Sequence, residues 1–378
     1  MHVVHLTNAY APHSGGIRTT AHALGAGYRE RGHQFTLVAP GTHLSTERRS
    51  WGTLIRLPGP VVPWTGGYRA LLDVRRVRRT LDALTPDRLE VSDRFTLGGL
   101  GAWADARGVP AVMIAHERLD GVLRTGLHLP AGVARTVADR HNDVMASAFR
   151  VVTTTRFAAR EFDRIGVRTV HVPLGVDLEA FTPVRAPARS GAPVLVMCSR
   201  LSPEKRPDLA IEALRLLHAG GLRARLVVIG DGPSARAVER AARGLPVTFL
   251  GHVTDRSAVA HLLAHADAVL APGPVETFGL AALEALACGT PVVASVTSAL
   301  VEMVDEESGV CAEPTAVGFA AATREVLSRS RDRTRSAARR RALQFPWSRT
   351  VDAMLAVHGA LPSTSASERR TVVGGSVR

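Results

Sequence analysis

Four side chains in the second half of the chain have types and spacing suited to holding a phosphorylated, hydroxyl-bearing ligand. Glu276 and Glu284 stand eight positions apart in PVETFGLAALEALACGTP (274–291), a stretch otherwise apolar enough to be buried. A strand at 267–271 and a Pro-Gly-Pro turn precede them, and the pattern predicts a helix from about Gly279 with Leu280, Leu283, Leu286 and Ala287 inward. Glu276 then lies ahead of the helix and Glu284 about one turn inside it, so both can face one pocket at the mouth of a sheet. Between them the amides of Phe278, Gly279 and Leu280 sit at a helix N-terminus, where unpaired donors and the dipole favour an anion. Carboxylates on both sides of an anion site match a nucleotide sugar: sugar hydroxyls, diphosphate, ribose diol. Taken alone, the pair reads equally well as a dipole partner (Glu276) and a solvated face (Glu284).

The loop CSRLSPEKRPD (198–208) shifts that balance, because it places Arg200 and Lys205 at the carboxyl end of another strand. Two cations there can grip a diphosphate and offset charge on a leaving group. Lys205 is the single lysine among 47 basic residues, which points to a need for a compact ammonium in this loop. In the first half, Ser14-Gly15-Gly16 lies between a strand and a helix, where backbone without side chains lets a phosphate approach. Gly-Asp-Gly-Pro (230–233) repeats the strand–glycine–helix pattern, as a structural turn or a contact. His116 follows the strand AVMIA (111–115) at the carboxyl edge, where ligands of such sheets bind. There is no Asp-x-Asp, no His-x-x-x-His and no cysteine cluster, so no metal site is expected and the cations must serve a leaving diphosphate.

These loops need a scaffold, and the chain supplies one twice. Short runs rich in Val, Leu and Ile alternate with segments of helical period, from HVVHL (2–6) to TVHVP (169–173) and again from PVLVMC (193–198) to GVCAE (309–313). That alternation predicts an α/β protein of two Rossmann-like, doubly wound domains facing across a cleft. The expected bounds are 1–180 for the first domain and 181–345 for the second, with the Pro/Ala/Arg-rich stretch 178–193 as linker. A helix over 346–361 is free to pack back on the first domain, and the Gly/Ser-rich tail 362–378 is expected to be disordered.

The chain has 378 residues and a formal net charge of +13, which favours polyanions, phosphorylated ligands or an anionic membrane. Aromatic residues make up only 4% and no nucleic-acid motif is present, which argues against a basic nucleic-acid binder. Three scattered cysteines, Cys198, Cys288 and Cys311, fit a reducing cytoplasm better than a disulfide framework. Neither a signal peptide nor a transmembrane helix is expected, so membrane contact would be peripheral. One candidate for it is TGGYRALLDVRRVRRTLDAL (65–84), which puts Leu71, Val74, Val77 and Leu81 on one stripe with Arg75, Arg76, Arg78 and Arg79 around it. The same stripe also suits a helix packed on the sheet. A second basic run, 329–341, can add to the contact only if it shares that face.

Together, E-x7-E after a strand, R-x4-K in the preceding loop and an N-terminal Gly-Gly loop resemble the GT4 family of retaining glycosyltransferases, which have the GT-B fold. The resemblance spans nearly the whole chain to residue 361. Longer stretches, among them TGGYRA (65–70), SDR (92–94), HERLD (116–120), VPLGVDL (172–178) and TSAL (297–300), are similar to the GDP-mannose-dependent branch that extends phosphatidylinositol mannosides. The resemblance implies that Glu276 holds hydroxyls of the donor hexose and Glu284 the ribose diol. Arg200 and Lys205 would bind the diphosphate with the amides of Gly15, Gly16 and 278–280, and His116 would orient the transferred sugar. Tyr10 and Arg69 match positions used for a phosphoinositol acceptor. Asp93, at a strand's end, is the carboxylate to watch on that side. No essential metal or other cofactor is implied; the partners are a nucleotide-sugar donor, a lipid-linked acceptor and the anionic inner face of the plasma membrane. A GT4 enzyme with a soluble or polysaccharide-precursor acceptor and a nucleotide-sugar epimerase are the alternatives.

Overall fold

The computed structural model describes residues 1–11, 15–62, 67–126, 129–184 and 191–359. The first half runs β1 (His2–Leu6), α1 (Gly16–Glu30), β2 (Gln34–Gly41), β3 (Ser45–Arg49), β4 (Gly52–Pro58), α2 (Val74–Leu84), β5 (Arg88–Val91) and α3 (Leu100–Ala106). It continues through β6 (Ala111–Ala115), α4 (Leu119–Gly126), α5 (Ala131–Ala148), β7 (Arg150–Thr153), α6 (Arg156–Asp163) and β8 (Val170–His171). Its sheet has the order β3-β4-β2-β1-β5-β6-β7-β8 and is parallel except at β3, which runs antiparallel on the edge. That edge strand, STERR, is absent from the sequence expectation: its five residues are polar and mostly exposed, so no hydrophobic run announces it.

The second half holds β9 (Val194–Cys198), α7 (Pro207–Ala219), β10 (Arg225–Ile229), α8 (Ala235–Ala241), β11 (Val247–Phe249), α9 (Arg256–His265), β12 (Ala268–Ala271) and α10 (Leu280–Ala287). Then come β13 (Val292–Ser295), β14 (Gly309–Ala312), α11 (Ala316–Ser328), α12 (Arg331–Ala342) and α13 (Trp347–Gly359). The six strands, all parallel, lie in the order β11-β10-β9-β12-β13-β14. Helices cover both faces of each sheet, so β1, β6, β12 and β13 are buried almost throughout and read as unbroken apolar runs. Strand order reverses beside β1 and β9, and the residues after these strands carry the loops of interest.

Three expectations change. The segment 178–193 does not begin as a free linker: Phe181 is buried in the core of the second domain with Val176 and Leu286. Helix α2 starts at Val74, with Asp73 accepting from the Arg76 amide (3.0 Å), rather than near residue 65. Its apolar stripe faces inward, since Leu71, Val77 and Leu81 belong to the first domain's core, and its four arginines reach solvent. Helix α13 lies against α1, with Val351, Met354 and Val357 in the first domain's core. Ser14, Thr65, Gly66 and the tail 362–378 lie outside the described residues. Among those residues no helix is long and apolar enough to cross a membrane, and the three cysteines are free.

Candidate active site

The loop after β9 is shaped by its neighbour after β10. Gly230 has φ +131°, and a Cβ there would lie 1.9 Å from the Ser199 carbonyl oxygen, so this position admits only glycine. The Leu201 amide donates to the Asp231 carbonyl (3.0 Å) and the Ser234 amide to the Leu201 carbonyl (2.9 Å). Gly-Asp-Gly-Pro is therefore a structural turn that braces the cation loop. A short 3-10 turn, Pro203–Lys205, follows. Arg206 then folds back on Asp208 (Nη2–Oδ2 2.7 Å), whereas Lys205 turns inward to Glu276, with Nζ 2.5 Å from Oε2. Arg200 is exposed.

Glu276 comes from the second loop, after β12. Gly279 ends that loop with φ +82°, where a Cβ would meet Leu300 Cδ2 at 2.4 Å and Glu276 Cγ at 3.2 Å. This close approach starts α10, whose first turn has no side-chain cap. A recess at the mouth of the second sheet is lined by Cys198, Ser199, Lys205, Glu276, Gly279 and Leu300. Glu284 is not among its lining residues. It lies within α10 beside Arg256 (3.6 Å), and burial pushes its carboxyl up to about 7 against the pull of that guanidinium. The two glutamates thus sit in different surroundings: Glu276 is paired with Lys205 in the recess, while Glu284 lies outside it along α10 beside Arg256.

The first domain meets this face. Gly15 caps α1 with open space around it, and a Cβ on Gly16 would lie 3.5 Å from Leu280 Cδ1, so the glycine turn stands opposite the start of α10. His116 follows β6; Thr277 Oγ1 donates to its carbonyl, and Thr155 Oγ1 donates to the Thr277 carbonyl (2.9 Å). The His116 ring lies 3.0 Å from Ser92 Oγ through Nε2, and burial, with nearby positive charge on His5 and Arg94, lowers it to about 3. It is neutral at physiological pH. Glu302 of the second domain accepts from the Arg156 and Phe157 amides (2.9 and 2.7 Å), capping α6 of the first.

The acceptor-side residues are engaged in holding the fold. Tyr10 is buried beneath the Arg56 guanidinium with its hydroxyl 2.9 Å from His22 Nε2. Arg69 donates to the Gly59 carbonyl (2.6 Å), and Asp93 Oδ1 accepts from the Phe95 and Thr96 amides (3.1 and 2.8 Å). Asp93 is thus a turn-forming residue in this structure. Sequence reasoning missed Arg94 and Glu161. Buried Arg94 donates to Asn142 (2.9 Å) and to Glu161 (3.2 Å), and Glu161 accepts from the Leu119 and Asp120 amides (2.9 and 2.7 Å). SDR and EFDRIG hold other charged residues, Asp93, Asp163 and Arg164, so the sequence did not single out the two that are buried.

Comparison with known proteins gives the family. The family model described as glycosyl transferase 4-like domain matches residues 15–175, and that described as glycosyl transferases group 1 matches residues 181–342. A GDP-mannose-dependent alpha-(1-6)-phosphatidylinositol dimannoside mannosyltransferase of Mycobacterium tuberculosis is 50% identical over 373 residues, covering 96% of this chain and 97% of that protein. The chain belongs to the GT4 glycosyltransferases. Another relative in this GT4 group, a D-inositol 3-phosphate glycosyltransferase of Geodermatophilus obscurus, is 37% identical across 76% of this chain and 70% of its own length. The GT-B fold is shared with sucrose-phosphate synthase of Thermosynechococcus elongatus (TM-score 0.77, 20% identity, 95% of this chain and 98% of that one). It is shared equally with WaaG, a glycosyltransferase involved in lipopolysaccharide biosynthesis (TM-score 0.71, 16% identity, 95% and 100%). In this GT4 chain the two matched domains are the two sheets described above, and the cleft residues come from both.

Proposed function

We propose that this glycosyltransferase moves mannose from GDP-mannose to a phosphatidylinositol-mannoside acceptor at the inner face of the plasma membrane, with retention and without an essential metal. The observation that carries the reading is the Lys205–Glu276 pair in the recess beside α10, where Gly16 of the other domain stands against Leu280 and the His116 carbonyl meets Thr277. Near-full-length identity of 50% to a protein named for that donor and that acceptor class supports the choice of substrates. Lys205 has three N–H donors, so it can keep Glu276 and still reach a phosphate oxygen. Arg200, the Gly16 amide and the amides of 278–280 complete the diphosphate site. Glu276 holds hexose hydroxyls, Glu284 the ribose diol, and His116 orients the sugar.

In the transfer, the bond between the sugar's anomeric carbon and the β-phosphate oxygen breaks on the face where the acceptor oxygen bonds. The acceptor's hydroxyl proton passes to the departing diphosphate, whose charge Arg200 and Lys205 stabilise. Membrane contact rests on exposed Arg75, Arg76, Arg78 and Arg79, not on the buried stripe of α2. Two large apolar side chains, Leu72 and Phe95, are also exposed (56% and 51%) on loops that Asn8 ties together through the Leu71 amide and Thr96.

The test is turnover of GDP-mannose with phosphatidylinositol dimannoside and, separately, with inositol 3-phosphate, each with and without EDTA. We expect transfer to the lipid only, unaffected by EDTA. In the same assay Glu276→Gln lowers kcat by about 10²–10³-fold, the range for loss of one cleft interaction that strengthens in the transition state. Transfer to the soluble acceptor alone overturns the lipid reading, and near-normal turnover by Glu276→Gln overturns the pocket.

A further inference from the structure

Strands β1 and β5 are neighbours in the first sheet, and each carries one ionisable residue inside a buried run: His5 in HVVHL and Glu90 in RLEV. The sheet register places them side by side. Glu90 is fully buried and accepts three donors. Oε2 lies 2.7 Å from His5 Nδ1, while Oε1 takes the Tyr28 hydroxyl (2.6 Å) and lies 2.7 Å from Nε2 of His358 on α13. Beyond His5 the chain continues. His5 Nε2 is 2.9 Å from Ser92 Oγ, and Ser92 Oγ is 3.0 Å from His116 Nε2. An unbroken line of hydrogen bonds thus runs from the last helix through the sheet to the cleft histidine.

The line takes one direction when the charge that balances Glu90 sits on the ring with a partner at each nitrogen. Burial alone would raise the Glu90 carboxyl, but the donors from His358 and His5 overcome it and hold Glu90 ionised. A buried carboxylate needs a paired positive charge. Tyr28 is neutral, because burial raises its hydroxyl well above the ordinary range. The Nδ1 of His358 is buried and has no partner among the described residues, so an N–H placed there would be stranded. His5 has a partner at each nitrogen, a carboxylate at Nδ1 and a hydroxyl at Nε2, and can donate to both. With His5 as the imidazolium, Ser92 Oγ accepts from His5, and its own proton points to His116 Nε2. A neutral His116 then carries its hydrogen on Nδ1.

We infer that the buried line Glu90–His5–Ser92 fixes the tautomer of His116, presenting Nδ1–H to the cleft as a donor for a sugar hydroxyl or phosphate oxygen. The inference rests on the reading of His116 as the group that orients the transferred sugar. Ser92, His5 and Glu90 are positioning residues: they act through His116 and touch no substrate. Ser92 has the central place, because a hydroxyl both accepts and donates and so passes the polarity of His5 to the next ring.

The test reads the rings directly. In donor-free protein labelled with 15N-histidine, two-bond 1H–15N correlations, assigned with His116→Asn, should show His116 protonated at Nδ1 only and His5 at both nitrogens. Ser92→Ala should turn the His116 signals into a tautomer mixture and Ser92→Thr should preserve them. With GDP-mannose and the lipid acceptor, Ser92→Ala should lower kcat by about 10–100-fold, the range seen when an orienting partner is removed. KM for the donor should stay within about 3-fold, and Ser92→Thr should recover most of the rate. A proton on His116 Nε2 in the wild type overturns the inference. So do unchanged ring signals and unchanged kcat in Ser92→Ala. If the protein turns over no GDP-mannose at all, the sugar-transfer reading fails, while the ring spectra still decide the tautomer.

Discussion

Helices α2 and α12 both carry dense arginine, yet they use it differently. In α2, Arg75, Arg76, Arg78 and Arg79 are all exposed; Arg78 reaches the Gly99 carbonyl (3.3 Å), and Arg76 lies 3.5 Å from Asp73. In α12, three arginines turn inward onto carbonyl oxygens. Arg335 donates to Ala264 (2.8 Å), Arg339 to Phe181 and Ala287 (both 2.8 Å), and Arg341 to Glu302 (2.6 Å). Several of these acceptors lie at the carboxyl ends of α9 and α10, where carbonyls lack partners within the helix and the dipole favours a cation. The neighbouring residues explain the difference. The buried face of α12 is Thr334, Ala337, Ala338 and Ala342, small enough to bring its backbone against α10, so guanidinium groups reach past it. The buried face of α2 is Val77 and Leu81, and its arginines are left on the outer side. Equal charge density therefore says little until the size of the inward residues is known.

Three substitutions test that contrast. The largest effect is expected from changing Arg75, Arg76, Arg78 and Arg79 together to serine. Each basic residue near an anionic leaflet is worth about 1 kcal/mol, so partition onto phosphatidylinositol-containing vesicles should fall by up to about 10³-fold at low salt, and by less as salt rises. Thermal unfolding should stay where it was. Vesicle co-sedimentation beside a melting curve reads both, and unchanged sedimentation would remove the membrane role of α2. Next, Arg339→Ala should lower unfolding stability by about 2–4 kcal/mol, because it strips donors from buried carbonyls, with vesicle binding unaffected. Urea unfolding checks it; a loss below about 0.5 kcal/mol would show that α12 holds α10 by packing alone. The smallest effect belongs to Val77→Ala, about 2 kcal/mol of stability and no change in vesicle binding, since Val77 is a core residue. A vesicle-binding defect at full stability would return the apolar stripe to the membrane.

The sequence made much of the scaffold legible. The apolar runs marked thirteen of the fourteen strands among the described residues, because parallel strands buried on both faces leave near-continuous hydrophobic segments. The polar edge strand β3 left no such trace. At the site, the lone lysine and the first glutamate of E-x7-E mark two side chains that the fold pairs in the recess beside α10, whereas the second glutamate lies outside it. The separation of Glu276 from Glu284 was not legible, since helical spacing says which turn a residue occupies but not how much solvent reaches it. His5 and Glu90 went unremarked in strands chosen for their apolar neighbours. An ionisable residue inside such a run is itself a signal, because it persists only where a partner awaits it.

The crossing of the chain between domains has a mechanical consequence. The polypeptide passes from the first domain to the second near Val176 and returns near Phe345, and the two passages are bonded to each other: the Val176 amide donates to the Phe345 carbonyl (2.9 Å). They touch so closely that a Cβ on Gly175 would lie 2.5 Å from the Trp347 backbone nitrogen. The two passages, pinned side by side, tie the domains together along one line. A relative motion of the domains that keeps this pairing is a rotation about that line, and sliding has to break it. Each swing then brings the same faces back together: Thr277 to the His116 carbonyl, and Glu302 to the first turn of α6.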